Sequence, residues 1–296
     1  MNSYFGAFYR HSWSIDKCIP YSGSHSYDDD DFYNKAAAEE RRRIIELSLK
    51  GYNTACLFIN KGGDYYSFKR RMDEQELLFK ELNRQIMPNT TIEYVYFCMF
   101  DSSCCDLYSE TPQSNIHVLE KGLNYWMRKA DSVMDIWKMM RNGTKFPHVV
   151  RIRLIDPVTN RPGYLNLFDL LNPMFSPQES KLVFSVQESF QNLRKLVNLI
   201  VTSNRVKNDY VPINCVLTKL LLPFLLGQGN LVVYALINEC PKNLQAETVL
   251  TLDFITQLRN IKSYQLPNEP LSDETAKFSV YNHTLQILKW RSKKIT

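Results

Sequence analysis

The 296-residue chain has no long apolar run, and its longest one, at residues 220–226, contains Pro223. A membrane-spanning helix needs about 20 mostly apolar residues, so the sequence predicts no span. The amino terminus, MNSYFGAFYRHSWSIDK, also lacks the basic segment and unbroken apolar stretch of a secretory signal. We therefore expect the protein in the cytoplasm or nucleus, without a membrane partner.

Paired cysteine motifs are lacking too. The chain has seven cysteines and no C-x-x-C, a pattern that favours neither a disulfide framework nor a zinc ribbon. Cys104 and Cys105, with His117, are the nearest approach to a metal site, but adjacent cysteines suit zinc spacing poorly. We expect reduced thiols and no bound metal.

Net charge is modest, +5 with a pI of about 8.7, which favours an acidic partner without identifying one. Basic clusters occur at residues 41–43, 69–71 and 291–294. Taken singly, each is expected to be a solvated surface rather than a binding site. A scaffold or nucleic-acid binder that uses these clusters stays an alternative, although we expect no nucleic-acid partner.

Predicted strands and helices alternate along the chain. Apolar and β-branched residues indicate strands, helical spacing indicates helices, and no repeat or linker divides the 296 residues. The alternation predicts one α/β domain with a mostly parallel central sheet and helices on both faces. Residues 1–33 are predicted to be irregular, and residues 262–296 form a tail that docks on the core, with apolar residues at 277–290. The predicted helices are 35–50, 68–86, 123–140, 187–203, 215–226 and 246–261, and the predicted strands are 54–59, 91–100, 148–154, 164–171 and 231–237.

The loop after the first buried strand is the most informative segment, because phosphate-binding folds place a glycine-rich turn there. It reads NKGGDYYS, residues 60–67. Against the pattern G-x-x-x-x-G-K-[ST], Asn60 and Tyr65 stand at the glycine positions and Tyr66 at the lysine position. Ser67 alone fits the pattern. On its own, the loop predicts no phosphate site.

Several segments in order resemble a kinesin motor domain, over about residues 35–261. They are GYN from Gly51, YVYFCMFDSSCCDLYS from Tyr94, LNLFDLL from Leu165, LTKLLLPFLLGQGN from Leu217 with LVVYALI after it, and NLQAETVLTLDF from Asn243. The resemblance implies a kinesin-like, P-loop NTPase-like fold.

Departures from the kinesin pattern cluster where that family handles nucleotide. Besides the tyrosines of the loop, Phe146 and Pro147 replace residues of the first switch. The second switch keeps Asp169 but has Asn172 and Met174 in place of glycine and glutamate. Phosphoryl transfer depends on these positioning and charge-stabilising groups, so we expect no ATPase, no other catalytic activity and no cofactor. Asp169 and His148 are then expected to be structural.

A kinesin head without catalysis resembles the Vik/Cik type of fungal subunit, and this resemblance implies two partners. One is the microtubule, whose tubulin surface is acidic. The other is a catalytic kinesin with a carboxyl-terminal motor, directed to the minus end and joined through a coiled coil upstream of this segment, which itself lacks heptads. The implied location is the cytoplasm, cytoskeleton, spindle and spindle pole body, with the nucleus as an alternative. The candidate microtubule-binding residues are Lys181, Arg194, Lys195, Arg205, Lys207 and Lys219.

One further alternative is an atypical kinesin-like NTPase that holds nucleotide by other residues, of which Ser67 and Asp169 are the candidates. Nucleotide affinity would support that reading, and preference for DNA or RNA over tubulin would support the scaffold.

Overall fold

A computed structural model describes residues 30–60, 65–99, 103–106, 111–114, 123–141, 148–171, 180–202, 216–236, 245–261 and 266–271. The helices are α1 (Asp30–Leu49), α2 (Tyr65–Gln85), α3 (Val133–Arg141), α4 (Ser180–Thr202), α5 (Val216–Leu225) and α6 (Gln245–Arg259). The strands are β1 (Asn53–Asn60), β2 (Thr91–Met99), β3 (Ser103–Asp106), β4 (Thr111–Ser114), β5 (Arg128–Ala130), β6 (His148–Ile155), β7 (Pro162–Leu171) and β8 (Asn230–Leu236). In this part of the chain no helix is long and apolar enough to cross a membrane.

The described strands form one sheet in the order β4-β3-β2-β6-β7-β1-β8, with β5 paired to the edge of β2 that also carries β3. Four of the five central strands run in one direction, because β7, β1 and β8 pair in parallel while β6 is antiparallel to both β2 and β7. The expected α/β fold is thus confirmed. The sheet is mixed rather than mostly parallel in its pairing, because a tight turn folds β6 directly onto β7 as a hairpin.

Each face of the sheet is covered by helices, as predicted. Strand side chains alternate between the faces, and both faces of the central strands are apolar. On one face α1, α2 and α3 bury residues such as Ile45, Phe79 and Trp137. On the other face α4, α5 and α6 bury residues such as Leu196 and Phe254. The two cores together hold the central strands between layers of helix.

The predicted helix at residues 123–140 is wrong in its first half. The chain there forms a 3-10 helix, Leu123–Trp126, and then β5, which pairs with residues 92–94 of β2. Helix α3 begins only afterwards, where Ser132 Oγ accepts a hydrogen bond from Met134 N at 3.0 Å, a typical N-cap contact. Edge pairing with β2 satisfies backbone groups that the sequence pattern had suggested were helical.

The turn between β6 and β7 holds part of the tail. Asn160 has a φ of 51°, and its Nδ2 donates to Leu271 O at 2.8 Å, while Leu271 N donates back to Asn160 O at 2.9 Å. Asn268 Nδ2 donates to Gly51 O and to Pro162 O. Residues 266–271 therefore lie against the starts of β1 and β7. The predicted docking of residues 277–290 falls outside the described residues, as do residues 1–29, whereas 30–33 belong to α1 rather than to an irregular segment.

Candidate functional site

The carboxyl ends of three parallel strands meet at one edge of the sheet. Asn60, the last residue of β1, lies opposite Leu171 of β7 and Leu236 of β8. Helix α2 begins five residues after Asn60, at Tyr65. In open α/β sheets this edge is where ligands bind, so its polar side chains decide what the site can do.

Asp169 lies near this edge and is fully buried, with a relative exposure of 0%. Its Oδ1 accepts a hydrogen bond from Arg71 Nη1 at 2.9 Å, and its Oδ2 accepts one from Gln75 Nε2 at 3.0 Å. Arg71 and Gln75 lie one turn apart on α2 and are each 1% exposed. The aspartate is therefore neutralised by a cation of the protein itself, and both of its oxygens are occupied.

His148 begins β6 directly opposite Asp169 in the β6–β7 register. Its Nε2 lies 3.7 Å from Asp169 Oδ2, and its ring packs edge-on against Tyr96 with the ring centroids 5.2 Å apart. The imidazole is 5% exposed. It thus lies beside the aspartate from the neighbouring strand, beyond hydrogen-bond distance of Oδ2.

A second buried ion pair continues this cluster toward α1. Arg41 Nη1 donates to Glu74 Oε2 at 2.6 Å, and Glu74 sits on α2 next to Gln75. The two arginines and two carboxylates balance in formal charge, as buried charges require. We call this set the α2 polar cluster, and its members are Arg41, Arg71, Glu74, Gln75, His148 and Asp169.

The chemistry open to this cluster is limited by its burial. A magnesium ion would have to compete with the charge of Arg71, which already neutralises Asp169 at 2.9 Å. Within the described ranges, no group of three or more His, Cys, Asp or Glu residues converges as a metal site would require. The arrangement suits a fixed structural contact between α2, β6 and β7.

The structure brings some of the predicted nucleotide-site residues together and leaves others outside its description. Asn60 ends β1, Tyr65, Tyr66 and Ser67 form the first turn of α2, and Asp169 lies beside the next turn. The residues that fall outside the described ranges are Phe146, Pro147, Asn172 and Met174, together with His117 of the weak metal candidate.

Four of the six predicted microtubule-binding cations lie on α4 and α5, on the face opposite to α2. Lys195 is exposed, and Arg194 and Lys219 are partly exposed. Lys181 lies in the first turn of α4. Arg205 and Lys207 fall outside the described residues, so the structure places four of the six candidates on two adjacent helices.

Sequence reasoning missed the residues that hold Asp169. Arg41 and Arg71 were expected to be solvated, and that expectation is wrong, because each is buried against a carboxylate. A signal was available: Arg71 and Gln75 continue the spacing of Leu78, Phe79 and Leu82, the buried stripe of α2. Polar residues that extend an apolar helical stripe indicate a buried polar contact.

Comparison with known proteins gives the fold. No protein-family model and no curated protein matches this chain. Among solved structures, the chain resembles the dimer of KIF14 residues 391–772 with AMP-PNP in complex with a microtubule, with a TM-score of 0.59, 18% identity, and coverage of 82% of this chain and 81% of that one. The fold is that of a kinesin motor domain.

Two other kinesin motor domains support the same assignment. The motor domain of the Kar3-like kinesin from Ashbya gossypii gives a TM-score of 0.51 at 18% identity, with 76% of this chain and 81% of that one covered. A structure from a mutant series on activation of the kinesin motor ATPase gives 0.55 at 17% identity, with 78% and 79% covered. The kinesin fold expected from the short sequence segments is thereby confirmed.

Proposed function

We propose that this chain is a non-catalytic, kinesin-like microtubule-binding module that associates with a catalytic, minus-end-directed kinesin and modulates its attachment and motility. The observation that carries the proposal is the Arg71–Asp169 ion pair, 2.9 Å long, with both side chains 2% exposed or less. It occupies the aspartate that the kinesin resemblance assigns to the second switch.

The ion pair removes a group on which nucleotide chemistry depends. Phosphoryl transfer on a kinesin-like fold requires the switch aspartate to respond to the bound nucleotide and its magnesium. Asp169 instead contacts Arg71 and Gln75, which belong to the protein and are present in every state. Breaking such a buried pair costs about 3–5 kcal/mol, which a weak nucleotide contact does not supply.

The loop that precedes α2 supports the same conclusion from the sequence. Tyr65 stands where phosphate needs bare backbone, and Tyr66 stands where the motif has its lysine. Phe146, Pro147, Asn172 and Met174 are the corresponding changes in the two switch segments. A chain altered at all three segments retains the fold but not the positioning groups of an ATPase.

Microtubule binding is supported by the fold and by the cations on α4 and α5. The KIF14 domain that this chain resembles was solved in complex with a microtubule. Lys195, Arg194 and Lys219 place positive charge on one side of the sheet, where an acidic surface would attract it. The proposed partner kinesin, its upstream coiled coil and the location on the spindle and spindle pole body follow from the Vik/Cik resemblance.

The experiment that tests this function is microtubule co-sedimentation at low and raised salt, with ATP, with ADP and without nucleotide, together with an ATPase assay. We expect binding that weakens with salt, because exposed charges are screened, and that is the same in all three nucleotide conditions. Replacing Lys195 and Lys219 by alanine should weaken binding by up to about fivefold per residue. The matched control is Lys129→Ala, which removes one exposed charge from β5.

Two outcomes contradict the proposal. Nucleotide-dependent binding or measurable ATP hydrolysis would restore the NTPase interpretation. Absence of binding at low salt would leave the scaffold interpretation.

A further inference from the structure

An open groove lies between α1 and α2, on the side of these helices that faces solvent. Residues one turn apart on each helix face each other across it, because side chains three or four positions apart share one helical face. We call it the α1–α2 groove, and its walls include Ala38 and Arg42 of α1 and Leu77, Lys80, Glu81 and Arg84 of α2. Its volume is about 240 Å³, which suits one or two side chains of a peptide better than a whole small molecule.

Positive charge prevails among the exposed groups of the groove. Arg42, Lys80 and Arg84 each have a side chain that is more than half exposed. Arg41 also borders the groove, but its charge is buried and neutralised by Glu74. Three exposed cations therefore stand against a single acid in the walls, Glu81.

Two arginines, one from each helix, share that acid. Arg84 Nη2 and Gln85 Nε2 each lie 2.6 Å from Glu81 Oε1, and Arg42 Nε lies 3.8 Å from the same oxygen. Burial raises the pKa of Glu81, but the hydrogen bonds from Arg84 and Gln85 and the charges of Arg84 and Arg42 lower it overall. One ionised carboxylate thus serves two guanidinium groups, which leaves one positive charge in excess at this point.

The existing ion pairs do not close the groove to another acid. Lys80 pairs with Glu76 at 2.7 Å, four residues away on the same helix, and both partners are partly exposed. Exposed pairs of this kind contribute little to stability, because solvent already screens them. An incoming carboxylate can therefore take a share of these cations at small cost.

The groove also has an apolar part. Leu77 is among the exposed large apolar side chains of the described residues, and Ala38 opposite it is half-buried. An aliphatic side chain placed on them would remove apolar surface of both partners from water, which is favourable in proportion to the area covered. The groove thus offers an apolar contact and positive charge side by side.

We propose that the α1–α2 groove docks an acidic segment of a protein partner, with an aliphatic side chain on Leu77 and Ala38 and a carboxylate shared by Arg42 and Arg84. The arginine fork matches a carboxylate, and the apolar contact favours a peptide over a nucleic acid, whose backbone presents phosphates and sugars. Helices α4 and α5 lie on the other face of the sheet, so the proposal does not depend on microtubule binding.

Fluorescence anisotropy of a labelled synthetic peptide, GELEELG, with the full chain at low salt tests the proposal. We expect saturable binding that weakens as salt is added, because the cations are exposed. A peptide with glutamine in place of each glutamate should bind at least about fivefold more weakly. A peptide with serine in place of each leucine should bind about threefold more weakly, because the apolar contact is lost.

Variants of the groove locate the binding. Arg42→Ala and Arg84→Ala should each weaken binding of GELEELG by about two- to fivefold. Leu77→Ser should weaken binding of GELEELG but not of the serine peptide, because the two changes remove the same contact. The matched control is Lys138→Ala, which removes an exposed cation from α3 outside the groove and should leave the affinity unchanged. All four positions are exposed, so the fold should tolerate the changes.

Three results overturn the proposal. The first is the absence of peptide binding at low salt. The second is an equal loss of affinity in Lys138→Ala and Arg84→Ala, which would mean unspecific attraction by net charge. The third is binding of a DNA oligonucleotide that depends on Arg42 and Arg84 while peptide binding does not depend on Leu77, which would assign the groove to a nucleic acid.

Discussion

The α2 polar cluster lies on one face of strands β6 and β7, and Arg151 lies on the other. In the cluster, Arg71 and Asp169 neutralise each other, and Gln75 and His148 enclose the aspartate. On the opposite face, Arg151 contacts the neutral amide of Asn166 and the ring of Tyr164. One charge is thus buried and neutralised within the protein, whereas the other is only partly buried and has neutral partners.

This difference follows from how far each charge is removed from water. A buried ion pair needs both partners, because either charge left alone would be desolvated without compensation, whereas a partly exposed guanidinium keeps part of its hydration and needs no counter-ion. At the edge of the sheet where the parallel strands end, Arg71 therefore neutralises Asp169.

The largest effect is expected from Asp169→Ala. The change leaves the buried guanidinium of Arg71 without its counter-ion, which should lower the free energy of unfolding by about 3–5 kcal/mol. Urea denaturation at pH 7 measures it. The control is Asp135→Ala, which breaks the exposed Lys138–Asp135 pair and should cost less than about 1 kcal/mol. Similar losses of unfolding free energy in the two variants would mean that the buried pair contributes no more to stability than an exposed pair.

A smaller effect is expected when both members of the pair are removed. In the double variant Arg71→Met/Asp169→Ala no buried charge is left alone, so we expect it to recover about half or more of the stability lost in Asp169→Ala. Unfolding free energies of the two single variants and the double variant complete the cycle. Additive losses would show that Arg71 and Asp169 are not coupled, and the comparison between the two faces would fail.

Much of the fold followed from the sequence because local patterns and tertiary packing agree there. The strands around Ala55 and Leu167 are apolar on both faces, and the helices that cover them carry clear stripes. The region of residues 123–140 failed because Arg128–Ala130 pairs with β2, a long-range contact that a helical pattern does not reveal.

The candidate site could be predicted from the sequence only in part. The retained Asp169 and the altered loop were visible, since motif positions are local. That Arg71 neutralises Asp169 depends on α2 lying across the end of β7, ninety-eight residues away in sequence. Arg151 was not singled out at all, because an arginine in a strand is usually read as facing solvent.

The smallest effect concerns a third acid, Asp156, which is hydrogen-bonded like Asp169 but lies at an exposed turn. Its Oδ1 accepts hydrogen bonds from Val158 N at 2.7 Å and Thr159 N at 2.8 Å, and the bonds from Thr159 and Val158 lower its pKa. Because solvent screens the charge, Asp156→Asn should cost only about 0.5 kcal/mol at pH 7.

The lowered pKa of Asp156 predicts how this loss of stability changes with pH. A carboxylate with a depressed folded-state pKa stabilises the fold above its unfolded pKa of about 3.9, and the stabilisation disappears as the pH falls through the folded value. The difference in unfolding free energy between wild type and Asp156→Asn should thus be constant above about pH 5 and shrink below about pH 4. A difference that stays constant down to about pH 2 would show that the ionised carboxylate contributes nothing beyond its neutral amide. A carboxylate charge would then stabilise the fold at Asp169, which is buried together with its counter-ion Arg71, and not at the exposed Asp156.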